Sequence, residues 1–154
     1  MDVDVCVIGG GPAGLAAALA ARQRGLSVLV AERARSPVDK ACGEGLMPGG
    51  VRALRELGVT IGPETGLPFR GIRFFDSGLA AAAMFTKGPG LGIRRCDLHR
   101  LLRAKVEDAG VITLWGIPAE AISPGLVRIG TRAVRCRWII GADGTQSRVR
   151  PWAG

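Results

Sequence analysis

The sequence predicts an α/β fold organised around a parallel sheet, and three consecutive segments at its start carry this prediction. Residues 3–8 are mostly apolar on both faces, which is typical of a strand buried in a parallel sheet. Residues 15–21, rich in alanine and leucine, indicate a helix that ends at Gly25. Residues 27–31 indicate a second buried strand. This strand–helix–strand order predicts a Rossmann-like fold, in which helical crossovers join parallel strands.

The turn between the first strand and the helix carries the pattern G-x-G-x-x-G at Gly9, Gly11 and Gly14. The first glycine permits the tight turn, the second lets backbone approach a pyrophosphate, and the third lets the helix lie close to the strand. Pro12 and Ala13 open the helix, and Pro12 suits a first turn that has no use for its missing N–H. Because a helix N terminus offers free N–H groups and about half a positive charge, the segment predicts a diphosphate site.

Glu32, at the end of the second predicted strand, narrows the type of nucleotide. A carboxylate there accepts hydrogen bonds from ribose hydroxyls and repels a 2′-phosphate. Together with the adjacent Arg33, it predicts a cofactor site for FAD or NAD rather than NADP. The alternative is a solvated carboxylate beside an ordinary glycine loop. It requires the strand, the glycine spacing, the helix and the acid to coincide by chance.

Composition and charge exclude several other classes. With 154 residues, 47% of them hydrophobic, the chain has the size of one ordinary domain and can bury a core. It has no apolar run long enough to span a membrane, and its start does not resemble a signal peptide. The net charge of +8 does not indicate nucleic-acid binding, because the basic residues are dispersed and no aromatic residues alternate with them. The four cysteines lack C-x-x-C spacing, which favours free thiols in a cytoplasmic protein without a metal site.

The middle of the chain predicts a loop, a helix and an antiparallel insert. Residues 33–47 are polar and glycine-rich and predict a loop, and a helix is expected from Pro48 to Gly58. Residues 68–93 predict antiparallel strands outside the nucleotide-binding sheet, because two strands follow one another there without a helix between them.

The last third returns to the α/β pattern. A helix is predicted from an N-cap at Asp97, and His99, the one histidine, is expected at the surface or in a capping role. A strand at residues 111–115 and a small antiparallel meander over residues 120–137 follow. Residues 138–142 then predict a separate buried strand that leads into a tight turn.

These motifs together resemble the para-hydroxybenzoate-hydroxylase-like FAD oxidoreductases, a superfamily of class A aromatic monooxygenases, flavin halogenases and geranylgeranyl reductases. The glycine turn with Glu32 is similar to the part of that fold that binds the ADP half of FAD. The segment G-A-D-G-x-x-S-x-x-R from Gly141 resembles the family's Asp-Gly motif, which serves FAD and NAD(P)H. The segment R-x-x-L-x-x-x-L from Arg95 resembles the helix start whose Arg or Gln contacts the flavin.

The resemblance implies FAD as the cofactor and NAD(P)H as its reductant. It implies that Arg95, Asp143 and Gly144 contact the cofactor. It also implies that Cys42 and Gly43 lie in a loop beside the isoalloxazine ring, where a small flavin-contacting residue is favoured over a redox role for the thiol.

The resemblance further implies a domain organisation. Residues 1–154 are expected to be the truncated N-terminal portion of an FAD-binding domain, with the remainder of the full-length chain missing. Residues 68–93 are expected to begin a β-rich substrate domain. Residues 1–154 alone are therefore expected to be inactive.

The expected function is that of an FAD-dependent oxidoreductase, reduced by NAD(P)H and acting on an apolar or aromatic small molecule. It is expected to be either a monooxygenase or a geranylgeranyl-reductase-like enzyme. No side chain is a convincing acid, base or nucleophile, so the catalytic residues stay unassigned and the cofactor carries the chemistry. An NAD-dependent dehydrogenase and a non-catalytic flavin-binding module stay open as alternatives.

Overall fold

The computed structural model describes all of residues 1–154 and shows a mixed α/β architecture. None of its helices combines the length and the apolar composition that a membrane-spanning helix needs. The helices and strands, in chain order, are β1 (Asp2–Ile8), α1 (Pro12–Arg22), β2 (Val28–Glu32), β3 (Gly45–Leu46), α2 (Pro48–Glu56), β4 (Leu67–Phe69), β5 (Gly71–Asp76), β6 (Leu79–Met84), β7 (Gly90–Gly92), α3 (Arg95–Asp108), β8 (Ile112–Trp115), β9 (Ala119–Ser123), β10 (Leu126–Ile129), β11 (Arg132–Gly141) and α4 (Val149–Ala153).

The main sheet has six strands in the order β8-β2-β1-β11-β10-β9. The first four of these are parallel, and β10 and β9 extend the sheet as an antiparallel meander. β1 lies inside the sheet between β2 and β11, as expected of a strand whose residues are apolar toward both faces. The predicted α/β class with a Rossmann-like parallel sheet and a small meander is confirmed.

Two apolar clusters cover the faces of the main sheet. On one face α1 and α3 pack over β1 and β2, and Leu15, Leu102 and Val106 are fully buried there. On the other face the meander and β11 pack against β1 and β2, with Cys6 and Leu29 fully buried. Burying each such leucine stabilises the fold by about 1.5–3 kcal/mol relative to leaving it exposed. These clusters therefore fix where α1 and α3 lie relative to the strand ends.

The strand β11 corrects one sequence prediction. The sequence predicts a meander strand ending at Arg137 and a separate buried strand beginning at Trp138, whereas the structure has one continuous strand. Its first half pairs antiparallel with β10, and its second half pairs parallel with β1. The change of neighbour along the strand changes which residues are buried. The sequence pattern therefore resembles two strands.

The start of α3 corrects a second sequence prediction, the N-cap at Asp97. The helix begins at Arg95, with Arg94 at its N-cap, so Asp97 lies in its first turn rather than at the cap. The Asp97 carboxylate instead accepts hydrogen bonds from the side chains of Arg94 at 2.8 Å and Arg100 at 2.6 Å. An acid in the first turn is favourable beside the positive end of the helix dipole, which explains why the residue resembles a cap in the sequence.

The segment between α2 and α3, together with β3 just before α2, forms two small antiparallel sheets that do not pair with the main sheet. One has the order β3-β7-β4, and the other is the hairpin β5-β6, which is largely exposed. β3 lies inside residues 33–47, which the sequence predicts as a loop throughout. The assignment of residues 68–93 to a substrate domain stays a prediction.

Gly14 is the position where an added methyl group is expected to damage the fold most directly. A Cβ atom there would lie 1.9 Å from the carbonyl oxygen of Gly9. We expect Gly14→Ala to destabilise the protein by about 3 kcal/mol or more in urea unfolding, because backbone must move to accommodate it. The control is Gly49→Ala in α2, where no atom lies within 4 Å of the added Cβ and helix propensity should rise. Equal stability of the two variants would contradict this packing.

Candidate dinucleotide site

A cleft opens at the carboxyl ends of β1 and β2, between the glycine turn and the end of β11. The chain leaves β1 toward β2 on one side and leaves its neighbour β11 toward α4, which contacts β9, on the other side. Open α/β sheets bind ligands where the direction of the connections reverses in this way. Among the predicted site residues, the cleft is lined by Gly9, Gly11, Pro12, Ala13, Glu32, Arg33, Arg95, Asp143 and Gly144. The fold therefore brings together residues from four separate parts of the sequence.

The glycine turn lies against the end of β11. Gly9 has φ +114°, and a Cβ atom there would lie 2.3 Å from the carbonyl oxygen of Ala142. Only glycine fits such a close approach in this conformation. Gly14 packs against the backbone of Gly9 and does not line the cleft. Gly11 has open space in front of it, since the nearest atom to its added Cβ is the Arg95 Nη2 at 3.8 Å.

The N terminus of α1 faces this cleft. Gly11 is its N-cap, no side chain caps it, and its first turn contains no acid. Pro12 stands at the first helical position, as the sequence predicts. The partial positive charge of the 11-residue helix is therefore not balanced by a cap or by an acid in its own first turn, and it is directed at the cleft.

Glu32 lies at the tip of β2, and only 8% of it is exposed. Its Oε2 accepts a hydrogen bond from the Gly10 N–H at 2.7 Å, and its Oε1 accepts one from the Ala34 N–H at 2.8 Å. Each carboxylate oxygen keeps a second lone pair. The carboxylate therefore fixes the glycine turn and can still accept from a ligand hydroxyl.

Arg95, the first residue of α3, provides the test of whether the cleft suits a dinucleotide. The residue is 8% exposed, and its Nη1 is buried without a hydrogen-bond partner. A buried, unpaired guanidinium N–H is costly, and it pairs best with a phosphate or carboxylate. Arg33, Lys40 and Arg148 also line the cleft. This donor set fits the diphosphate of FAD.

The turn after β11 is held by the Asp143 carboxylate. It accepts hydrogen bonds from the Ser147 hydroxyl at 2.6 Å and from the backbone N–H groups of Arg148 at 2.7 Å and Val149 at 3.1 Å. Burial alone would raise the pKa of Asp143, but these hydrogen bonds outweigh it and hold the pKa below its usual value. The carboxylate is therefore ionised and fixes Gly144 at the edge of the cleft, where its φ is +88°.

Comparison with known proteins agrees with this geometry. The family described as FAD binding domain matches residues 2–89, which is more than half of the chain. The chain belongs to this family of FAD-binding domains. The predicted resemblance to the FAD-dependent oxidoreductases is thus confirmed.

Three individual proteins illustrate the similarity. Menaquinone reductase of Mycobacterium tuberculosis is 37% identical over 95% of this chain and 38% of its own length. The crystal structure of a geranylgeranyl bacteriochlorophyll reductase-like protein from Thermoplasma acidophilum has a TM-score of 0.81 and 29% identity, covering 99% of this chain and 42% of that one. A structure of 2-methyl-3-hydroxypyridine-5-carboxylic acid oxygenase has a TM-score of 0.83 and 28% identity, covering 98% and 42%. The chain thus spans about two fifths of the length of these proteins.

Besides Gly14, two predicted site residues of this FAD-binding domain lie outside the cleft. Cys42 and Gly43 are exposed in the loop before β3, and neither lines the cleft. The Cys42 sulfur accepts a hydrogen bond from the Glu44 N–H at 3.4 Å. Glu44, in turn, accepts one from the Arg95 backbone N–H at 3.0 Å through its Oε1. The loop is therefore attached to the start of α3, and a contact between Cys42 or Gly43 and a flavin stays a prediction.

Sequence reasoning missed His99, and the expectation of a surface or capping role is wrong. The side chain is fully buried, and its Nε2 lies 2.9 Å from the Gly10 carbonyl oxygen. The sequence did carry one indication of this inward position. His99 follows the predicted site residue Arg95 by four residues, and residues i and i+4 lie on the same face of a helix. Lys40, which also lines the cleft, carried no comparable signal because it stands in an irregular loop.

Asp143→Asn tests the turn after β11. Replacing the charged acceptor should cost about 1–2 kcal/mol near pH 7, a modest figure because the carboxylate is partly exposed. Because the folded pKa of Asp143 is lowered, its contribution is present above the unfolded pKa and disappears as the pH falls through the folded pKa. The stability difference from the wild type should therefore shrink in urea unfolding below about pH 4. Asp108→Asn, at an exposed position of α3, is the control and should show no such loss.

Proposed function

We propose that the protein is an FAD-dependent oxidoreductase and that the cleft holds the ADP half of FAD. The buried guanidinium of Arg95 beside an uncapped helix N terminus is the observation that carries this proposal. In the proposed complex, the diphosphate is held by Arg95 and by residues Gly11 to Ala13, and the ribose is held by Glu32 and Arg33. The turn at residues 143–144 supports the cofactor from the β11 side.

The residues around the cleft bind and orient the cofactor rather than react. When bound, FAD supplies the redox chemistry. The chain holds the cofactor in place and excludes water from it. None of the cleft side chains forms a pair of nucleophile and base. This is the arrangement expected when the cofactor performs the reaction, and it leaves the catalytic residues unassigned.

We propose NAD(P)H as the reductant and an apolar small molecule as the substrate. Similarity to a menaquinone reductase and to a geranylgeranyl bacteriochlorophyll reductase-like protein supports reduction of an apolar, isoprenoid-like compound. Similarity to a pyridine-carboxylate oxygenase supports a monooxygenase as the second candidate. The four free cysteines suit a reducing compartment, and we propose the cytoplasm.

The visible spectrum of the purified full-length protein separates these functions, because residues 1–154 alone are expected to be inactive. A yellow protein whose flavin is bleached by NAD(P)H without oxygen would support the oxidoreductase and exclude an NAD-dependent dehydrogenase. Oxygen consumption coupled to product hydroxylation would favour the monooxygenase, and reduction of the substrate without oxygen would favour the reductase. A colourless protein that does not take up added FAD would refute the proposal.

Arg95→Gln tests the residue at the centre of the proposal. Hydrogen bonds from a charged group contribute about 1.5–3 kcal/mol, so FAD binding should weaken by about tenfold or more in a fluorescence titration. The matched control is Arg100→Gln on the same helix, whose side chain is 63% exposed and pairs with Asp97. It removes the same charge outside the cleft and should leave the affinity within about twofold. Equal losses in both variants would indicate a general charge effect and contradict the assignment of Arg95.

A further inference from the structure

The backbone of Gly10 is held from two sides. Its N–H donates to Glu32 Oε2 at 2.7 Å, and its carbonyl oxygen lies 2.9 Å from His99 Nε2. Both contacts are buried. The residue also has no room for a side chain, because an added Cβ would lie 2.5 Å from the ring of Trp115. The middle of the glycine turn is thus fixed by side chains from β2 and α3.

The hydrogen bond at the carbonyl defines the state of the His99 ring. A carbonyl oxygen only accepts, so Nε2 carries the proton. Burial, together with the positive charges of Arg95 and Arg103, lowers the pKa of His99 against the opposing effects of Gly10 and Glu32. The ring is therefore neutral at pH 7, and its buried Nδ1 carries no proton and has no partner. The ring packs edge-on against Trp115, with ring centroids 5.5 Å apart.

The direction of this hydrogen bond decides what the turn presents to a ligand. The Gly10 carbonyl and the Gly11 N–H belong to one planar, trans peptide group, so they point in opposite directions. With the carbonyl held toward the buried His99, the N–H of Gly11 points away from it, toward the cleft that Gly11 lines. A flipped peptide would instead direct a carbonyl dipole at an anion.

We propose that His99 is a positioning residue that prevents this flip and keeps the Gly11 N–H available to the cofactor diphosphate. This inference rests on the proposed FAD-binding function. His99 follows Arg95 by four residues on α3, so both side chains project from one face of the helix. The same helix therefore supplies a guanidinium to the cleft and fixes the turn beside it.

Two substitutions separate positioning from packing. His99→Leu keeps a similar volume and removes the donor, whereas His99→Gln places an amide N–H at about the distance of Nε2 from the backbone. We expect His99→Leu to weaken FAD binding about tenfold or more, and His99→Gln to stay within about threefold of the wild type. Urea unfolding of both variants measures stability separately. Because leucine leaves the buried Gly10 carbonyl oxygen without a donor and glutamine restores one, glutamine can recover stability as well as affinity. The positioning role therefore requires that His99→Leu bind FAD more weakly under conditions in which urea unfolding shows the variant to be fully folded.

The FAD titration distinguishes failure of the positioning role from failure of the proposed function. Unchanged affinity in His99→Leu, or equal losses in both variants, would overturn the positioning role while leaving FAD binding itself established by the wild type. A wild type that does not bind FAD would refute the proposed function instead. In that case, or if the variants do not fold, the ¹⁵N spectrum of the wild-type imidazole still tests His99. This is the single histidine in the 154 residues, and we expect a protonated Nε2 and an unprotonated Nδ1 at pH 7. The opposite tautomer would overturn the proposal.

Discussion

The close contact between the start of α1 and the end of β1 is the constraint on which the rest of the site depends. It exists because Gly9 and Gly14 bring their backbones together where any side chain would collide. This contact directs the uncapped end of α1 at the cleft rather than at solvent beside it. The apolar packing of α1 and α3 on the sheet then holds that end in place.

The charge distribution around the cleft follows from this placement. Four cationic side chains line the cleft, Arg33, Lys40, Arg95 and Arg148, together with two acids, Glu32 and Asp143. The carboxylate of Glu32 is tied to backbone N–H groups. An anionic diphosphate would therefore meet a helix end and guanidinium groups, while the carboxylate stands where a neutral hydroxyl is the suitable partner. One cleft can thus accept both the charged and the uncharged parts of a dinucleotide.

The sequence predicted the features that local patterns determine. Glycine spacing, the acid at the tip of β2 and the apolar strands are local, and they predicted the parallel sheet and the part of the cleft lining that comes from the glycine turn and the tip of β2. It could not predict the roles that arise between distant segments. The buried His99 contacts Gly10 across 89 residues of sequence, and Glu44 reaches Arg95 across 51. The continuous β11 was missed for the same reason, since its two halves are defined by different neighbours.

The central claim is that these residues recognise the ADP half of FAD rather than its flavin. FMN carries the same flavin and one phosphate but lacks the adenosine and the second phosphate, so comparing the two by quenching of flavin fluorescence tests the claim most directly. The account predicts that the purified protein binds FAD at least about 100-fold more tightly than FMN, a difference of roughly 2.7 kcal/mol. Equal affinities for FAD and FMN would contradict it.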